Sequence, residues 1–151
     1  MLRILRLQKE PFDAAGETAP LAQGRSDIGA LVTFTGICRA EEDGLAALEI
    51  EHYPGMAEEE IGRVMDAAGA RWPIAGALVI HRYGLIRPGE AIVLVATAAR
   101  HRGEAFAAAE FLMDYLKTNA PFWKKMRMRD GRDGDWIGPR AEDEAATKRW
   151  R

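Results

Sequence analysis

Two short apolar runs constrain the fold of this chain more than any other feature: Ala77-Leu78-Val79-Ile80-His81 and Ala91-Ile92-Val93-Leu94-Val95-Ala96. Both read as β-strands, with Gly84 and Pro88-Gly89 supplying turns between them. Ile28 to Cys38, punctuated by glycines and rich in β-branched and aromatic residues, predicts a largely buried strand. Leu2 to Leu7, apolar but interrupted by Arg3 and Arg6, predicts a half-buried strand near a sheet edge. Leu45 to Tyr53 alternates, with Ala46, Leu48, Ile50 and His52 on one face and Ala47, Glu49, Glu51 and Tyr53 on the other, the pattern of a strand with one wet face.

Helical periodicity takes over after Pro54-Gly55. Ala57, Ile61, Val64, Met65 and Ala68 form an amphipathic stripe, and Glu58, Glu59 and Glu60 occupy the first turn, where negative charge suits the helix dipole. Glu104 to Thr118 is dense in helix formers and stops at Asn119 before Pro121. Residues 12–23 read as a short helix or turn, broken by Gly16 and Pro20, and Glu41 to Gly44 as an exposed turn. Phe122 to Arg129 alternates as a strand, Asp130-Gly131 and Asp133-Gly134 turn the chain, Trp136-Ile137 is a short return strand, and Ala141 to Arg151 reads as a polar tail. Strands and helices mix without strict βαβ alternation, so the expected fold is one α/β (α+β) domain over 1–151 rather than a doubly wound sheet.

The 151 residues and 48% apolar content suit an ordinary globular core and argue against disorder. A single cysteine, Cys38, cannot form an internal disulfide, a Cys-x-x-Cys pair or a thiolate-rich zinc site. No run approaches the ~18–20 apolar residues of a membrane span, and the first residues do not resemble a signal peptide, so the expected location is a reducing cytoplasm.

The formal net charge of −2 conceals a split. Arg100 to Arg132 holds eight Lys or Arg against four Asp or Glu, while the rest of the chain is weakly acidic. Such a segment attracts phosphates or an acidic partner, or is simply a solvated face. Phosphate-loop, nucleophile-elbow, zinc-protease and dinucleotide-binding motifs are absent. His52, His81 and His101 are too dispersed to signal a metal, and none is expected. Arg100-His101-Arg102 stands where a strand ends and a helix begins, and Arg39 ends another strand, so these cations are candidates for holding an anion. Lys117 and Lys124 both adjoin apolar positions; each either snorkels or is destabilised as an ammonium and serves as nucleophile or acid/base.

Several separated stretches resemble the family of the large, catalytic subunit of molybdopterin synthase. They are Phe34-Thr35-Gly36 with Arg39, Leu48 to Met56, His81-Arg82-Tyr83-Gly84, Ala99 to Arg102, and above all Met113-Asp114-Tyr115-Leu116-Lys117-Thr118-Asn119-Ala120-Pro121-Phe122-Trp123-Lys124-Lys125. They occur in the family's order from about residue 2 to Trp150. One departure is Met126, where the family often has a glutamate, and Arg127 to Arg132 is more basic than is typical.

The resemblance implies an α/β hammerhead core with an additional antiparallel β subdomain. It implies a sulfurtransferase that converts cyclic pyranopterin monophosphate into molybdopterin, receiving two sulfurs from the C-terminal thiocarboxylate of a ubiquitin-like small subunit. Lys117 then meets the small subunit's terminal carbonyl and Lys124 is the second essential lysine, both catalytic. Arg39, His101 and Arg102 match the substrate pocket, and Arg140 a residue supplied by the neighbouring subunit of a dimer. No cofactor is implied, and Cys38 becomes a small buried apolar residue rather than a sulfur carrier. The rival expectation is a noncatalytic phosphate- or nucleic-acid-binding α/β module, which predicts strongly salt-dependent binding to unrelated oligonucleotides.

Overall fold

The computed structural model describes residues 1–40, 44–137 and 140–151. Among these, seven strands form two sheets. The first sheet contains β1 (Leu2–Gln8), β2 (Ala30–Ile37), β4 (Ile74–Arg82) and β6 (Ala91–Ala99), in the order β1-β4-β6-β2. β1 runs parallel to β4, and the other pairings are antiparallel. The second sheet is antiparallel throughout, with β3 (Leu45–His52) between β5 (Gly84–Ile86) and β7 (Phe122–Met128). A mixed sheet with an added antiparallel sheet is the expected architecture.

The two apolar runs are the two central strands of the first sheet. Ala77, Val79, Val93 and Val95 face helices α2 (Met56–Arg71) and α3 (Arg102–Thr118). Their neighbours Leu78, Ile80, Leu94 and Ala96 face the other way, onto Leu21, Phe12 and Ala14 beside the short helix α1 (Ala14–Thr18). Strands covered on both faces lose the need for polar alternation, which is why these runs are continuously apolar. The α2 stripe of Ala57, Ile61, Val64, Met65 and Ala68 is buried, and the Glu58 carboxylate accepts from the Gly55 N–H at 2.6 Å to cap the helix. A buried bond of 2.6 Å, Thr97 Oγ1 donating to the Ala105 carbonyl, ties β6 to α3.

Four elements differ from the sequence reading. β2 is an edge strand, not a largely buried one, because only β6 pairs with it; Leu31, Phe34 and Ile37 are exposed. Gly84, read as a turn, instead opens β5, whose three residues pair with β3. The C-terminal segment read as a polar tail forms helix α4 (Ala141–Lys148) and docks on α3. There Thr147 Oγ1 donates to the Asp114 carbonyl at 3.0 Å and Trp150 Nε1 to the Asp114 carboxylate at 2.6 Å. Trp150 also packs edge-on against Trp72 and Phe111. The expected return strand reduces to isolated bridges of Lys124 with Ile137 and Arg127 with Asp133. Residues 41–43 of the expected exposed turn lie outside the described residues.

The buried Arg82 guanidinium closes one end of the first sheet, donating to the Lys9 carbonyl at 3.0 Å and the Ala91 carbonyl at 2.9 Å. These bonds hold β1, β4 and β6 together just beyond His81, where the chain crosses to the second sheet.

Candidate active site

A cleft of about 410 Å³ opens between the two sheets, walled by the end of β2, by β7, by the last turn of α3 and by the start of α4. Each wall is placed by a local constraint. At the end of β2, Gly36 passes so close to Val93 that a Cβ would sit 2.7 Å from its Cγ1, so only glycine fits. Beyond it, the Cys38 N–H donates to the Glu90 carbonyl at 2.8 Å and the Cys38 carbonyl accepts from Gly89 at 2.7 Å, which delivers Arg39 to the rim. Cys38 itself is buried, its thiol near the Ile86 carbonyl at 3.8 Å.

Lys117 stands in the last turn of α3, where a cation suits the helix dipole. Asn119 ends the helix, Pro121 follows, and five residues into β7's approach and register Lys124 pairs with Ile50 of β3. Its backbone is also pinned from the far side, the Ile137 N–H donating to the Lys124 carbonyl at 2.7 Å. The alternation of β7 puts Phe122, Lys124 and Met126 on the cleft side. Met126 thus takes an apolar lining position, and Arg127 on the opposite face pairs with Glu49 at 2.5 Å and with Asp133.

Four of the six expected site residues come together here: Arg39, Lys117, Lys124 and Arg140 all line the cleft. Arg140 lines the cleft of its own chain, whereas the resemblance had it supplied by a neighbour. His101 and Arg102 do not line it. They begin α3, exposed, while Lys117 lies near its other end, about 22 Å away at 1.5 Å per residue. Sequence reasoning did not assign three further lining residues: His81, at the inner end of β4, and Glu142 and Asp143, in the first turn of α4. The signals were a polar residue ending an apolar strand and an acidic run opening a helix.

The electrostatics separate the two lysines. Lys117 is exposed, whereas Lys124 is half-buried. Burial, followed by the charge of Lys117, a hydrogen bond with it and the charge of Arg140, pulls the Lys124 ammonium from 10.5 down to about 8, while Asp143 opposes the shift. His81 is held neutral: burial first, partly offset by its bond to the Arg82 carbonyl, and then the charges of Lys124, Lys117 and His52 lower it from 6.5 to about 3. Its Nδ1–H donates to the Arg82 carbonyl at 2.8 Å, and its ring stacks on Phe122 with centroids 3.9 Å apart and planes at 12°. A cleft with one perturbed amine, several permanent cations and two carboxylates is suited to binding an anion and moving a proton beside it. Among the described residues no group of three His, Cys, Asp or Glu side chains is arranged to hold a metal ion, and no helix is long and apolar enough to cross a membrane.

Residues 7–119 match the family model described as MoaE protein. Over 147 residues the chain is 57% identical to the molybdopterin synthase catalytic subunit of Mesorhizobium japonicum, covering 97% of this chain and 92% of that one. The solved structure of the molybdopterin biosynthesis MoaE protein from Burkholderia ambifaria superposes with a TM-score of 0.84 at 46% identity, covering 99% of this chain and 98% of that one. The fold also recurs, at 21% identity and a TM-score of 0.69, covering 91% of this chain and 90% of that one, in the protein–protein complex of subunits 1 and 2 of the molybdopterin-converting factor from Helicobacter pylori. This mixed two-sheet protein with a lysine-lined cleft belongs to the MoaE family.

Proposed function

We propose that this chain is the catalytic subunit of a molybdopterin synthase. Working with a ubiquitin-like small subunit, it transfers two sulfurs from that subunit's C-terminal thiocarboxylate to cyclic pyranopterin monophosphate, forming the dithiolene of molybdopterin. The observation that carries the reading is the pairing of Lys117 and Lys124 in one cleft with Arg39 and Arg140 beside them.

In each transfer a carbon–sulfur bond forms on the pterin as a carbon–oxygen bond there breaks, opening the cyclic phosphate ester at one carbon and releasing the carbonyl oxygen as water at the other, and hydrolysis of the acyl–sulfur bond leaves the sulfur on the pterin and a carboxylate on the tail. Lys117, exposed at the mouth, is suited to meet the tail's terminal carbonyl and to stabilise negative charge developing on its oxygen. Lys124, with its pKa near 8, is suited to give and take the proton that moves as the pterin carbon–sulfur bond is made and the acyl–sulfur bond broken. The sequence reading left the individual roles of the two lysines open; burial, which falls on Lys124, is what separates them here. Arg39 and Arg140 supply the planar donors that match a phosphate or carboxylate.

His101 and Arg102, about 22 Å along α3 from Lys117, reach a pterin in this cleft only from a second copy of the chain. The working assembly is therefore a dimer of large subunits with shared sites and one small subunit for each, acting in the cytoplasm. The test is reconstitution: the chain mixed with a thiocarboxylated small subunit and cyclic pyranopterin monophosphate yields a dithiolene product, and failure to form any removes the assignment.

A further inference from the structure

His81 belongs to no role described so far, yet it lies at the inner wall of the cleft beside both lysines. Its ring is fixed on two sides. The Nδ1–H is committed to the Arg82 carbonyl, and the imidazole plane lies almost parallel on Phe122. Phe122 precedes Lys124 by two residues and shares its face of β7, while across the sheet His52 pairs with Phe122 and Ile50 with Lys124. His52 in turn packs on Tyr83, so a row of rings runs from Tyr83 through His52 and Phe122 to His81.

We propose that His81 is a positioning residue for Lys124: its uncharged ring, locked between the Arg82 carbonyl and Phe122, is the dry wall that withholds water from the Lys124 amine. A charged side chain there would add a third cation to Lys117 and Lys124, and a small one would admit water; a neutral ring does neither. The groups facing this wall are Lys117 from α3, Lys124 from β7, His52 from β3, and Arg140 and Asp143 at the start of α4. Burial is the leading cause of the lowered Lys124 pKa, so the acidity of Lys124 reports on the wall. The inference rests on the proposed function only in giving that acidity a use.

The test is competitive acetylation of the full chain with acetic anhydride across pH 6–11, read for each lysine by mass spectrometry, with Lys148 as an internal reference. It needs neither partner nor pterin, so it stands or falls separately from the sulfur-transfer assay. In the wild-type chain Lys124 reacts with a midpoint of about 8. His81→Phe keeps the ring and leaves the midpoint within about 0.3 units, whereas His81→Asn keeps an N–H donor but loses the ring and raises the midpoint by about one unit, close to a tenfold loss of neutral amine below pH 8. Should His81→Asn not fold, Phe122→Leu removes the same stack from the other side and carries the same prediction. A purely structural role would lower thermal stability without moving the midpoint. An unchanged midpoint in the ring-deleting variants, or an equal rise in His81→Phe, overturns the proposal.

Discussion

Lys117 in the last turn of α3 and Lys124 on β7 line one cleft, near enough that the charge of Lys117 adds to burial in lowering the Lys124 pKa to about 8. Two ammonium ions facing each other in one cleft repel, so the amine that is also buried gives up its proton more readily. That amine is Lys124, half-buried where Lys117 is exposed. A helix end and a strand thus bring an exposed lysine beside a buried one that titrates near pH 8.

Replacing Lys117 by alanine removes the cation at the mouth without touching a packed element, since its side chain is exposed. Sulfur transfer in the reconstituted complex is expected to fall by about 10²-fold or more, the scale of losing one oxyanion donor. Small-subunit binding and thermal unfolding stay near wild type, as measured by titration calorimetry and circular dichroism.

Lys124 burdens the fold with a partly buried ammonium. Its folded pKa of about 8 lies below its ordinary 10.5, so between those values the unfolded chain binds more protons and stability rises with pH. Below pH 8 the penalty is fully present. Lys124→Met is therefore expected to be more stable than wild type by about 1 kcal/mol at pH 7, discounted for partial exposure, with the difference vanishing by pH 10.5. Urea unfolding of both proteins at the two pH values measures it, and the same variant loses sulfur transfer.

His81 has the corresponding effect in acid. Its folded pKa of about 3 lies below 6.5, so the unfolded chain takes up a proton first and stability, complete above pH 6.5, is lost as pH falls toward 3. His81→Phe lacks this titration. Relative to wild type it is expected to gain about 2–4 kcal/mol between pH 7 and pH 3, read from urea midpoints, after an offset of about 1 kcal/mol at neutral pH for the lost bond to Arg82.

The α4 helix carries Arg140, Glu142 and Asp143 to the cleft and is held through buried Thr147, whose hydroxyl bonds the Asp114 carbonyl at 3.0 Å and Thr118 at 2.9 Å. Thr147→Val removes both ties from α4 to α3, although Thr118 still bonds the Asp114 carbonyl at 3.0 Å. A loss of about 1–2 kcal/mol is expected, together with faster amide exchange confined to α4 and its seat on α3.

Much of this arrangement was legible in the sequence because it is local. The α2 stripe from Ala57 to Ala68 and the apolar runs of β4 and β6 depend on near neighbours and periodicity, and form as read; β3 forms where expected, but an irregularity between Leu45 and Ala47 breaks its alternation there and buries Ala47. What escaped depends on distant partners. The Ile28–Cys38 run has the composition of a buried strand, but its exposure follows from sheet order, which leaves β2 with one neighbour. The tail after Ala141 is polar by composition and becomes a helix because Asp114 and Phe111, far back in the chain, receive Thr147 and Trp150. For the site, the resemblance brought Lys117 and Lys124 forward, yet which of them is buried is a property of the two sheets meeting. His101 and Arg102 stand near the cleft lysines in sequence and about 22 Å from Lys117 along the helix.

The most direct measurement is single-turnover sulfur transfer from a thiocarboxylated small subunit to cyclic pyranopterin monophosphate, followed between pH 6 and 10 for wild type, Lys117→Ala and Lys124→Arg. Wild type is expected to form the dithiolene with a titration near pH 8, and both variants to lose at least about a hundredfold in rate with small-subunit binding retained. Turnover at the wild-type rate in both variants, or a wild-type profile with no titration near pH 8, would contradict this expectation.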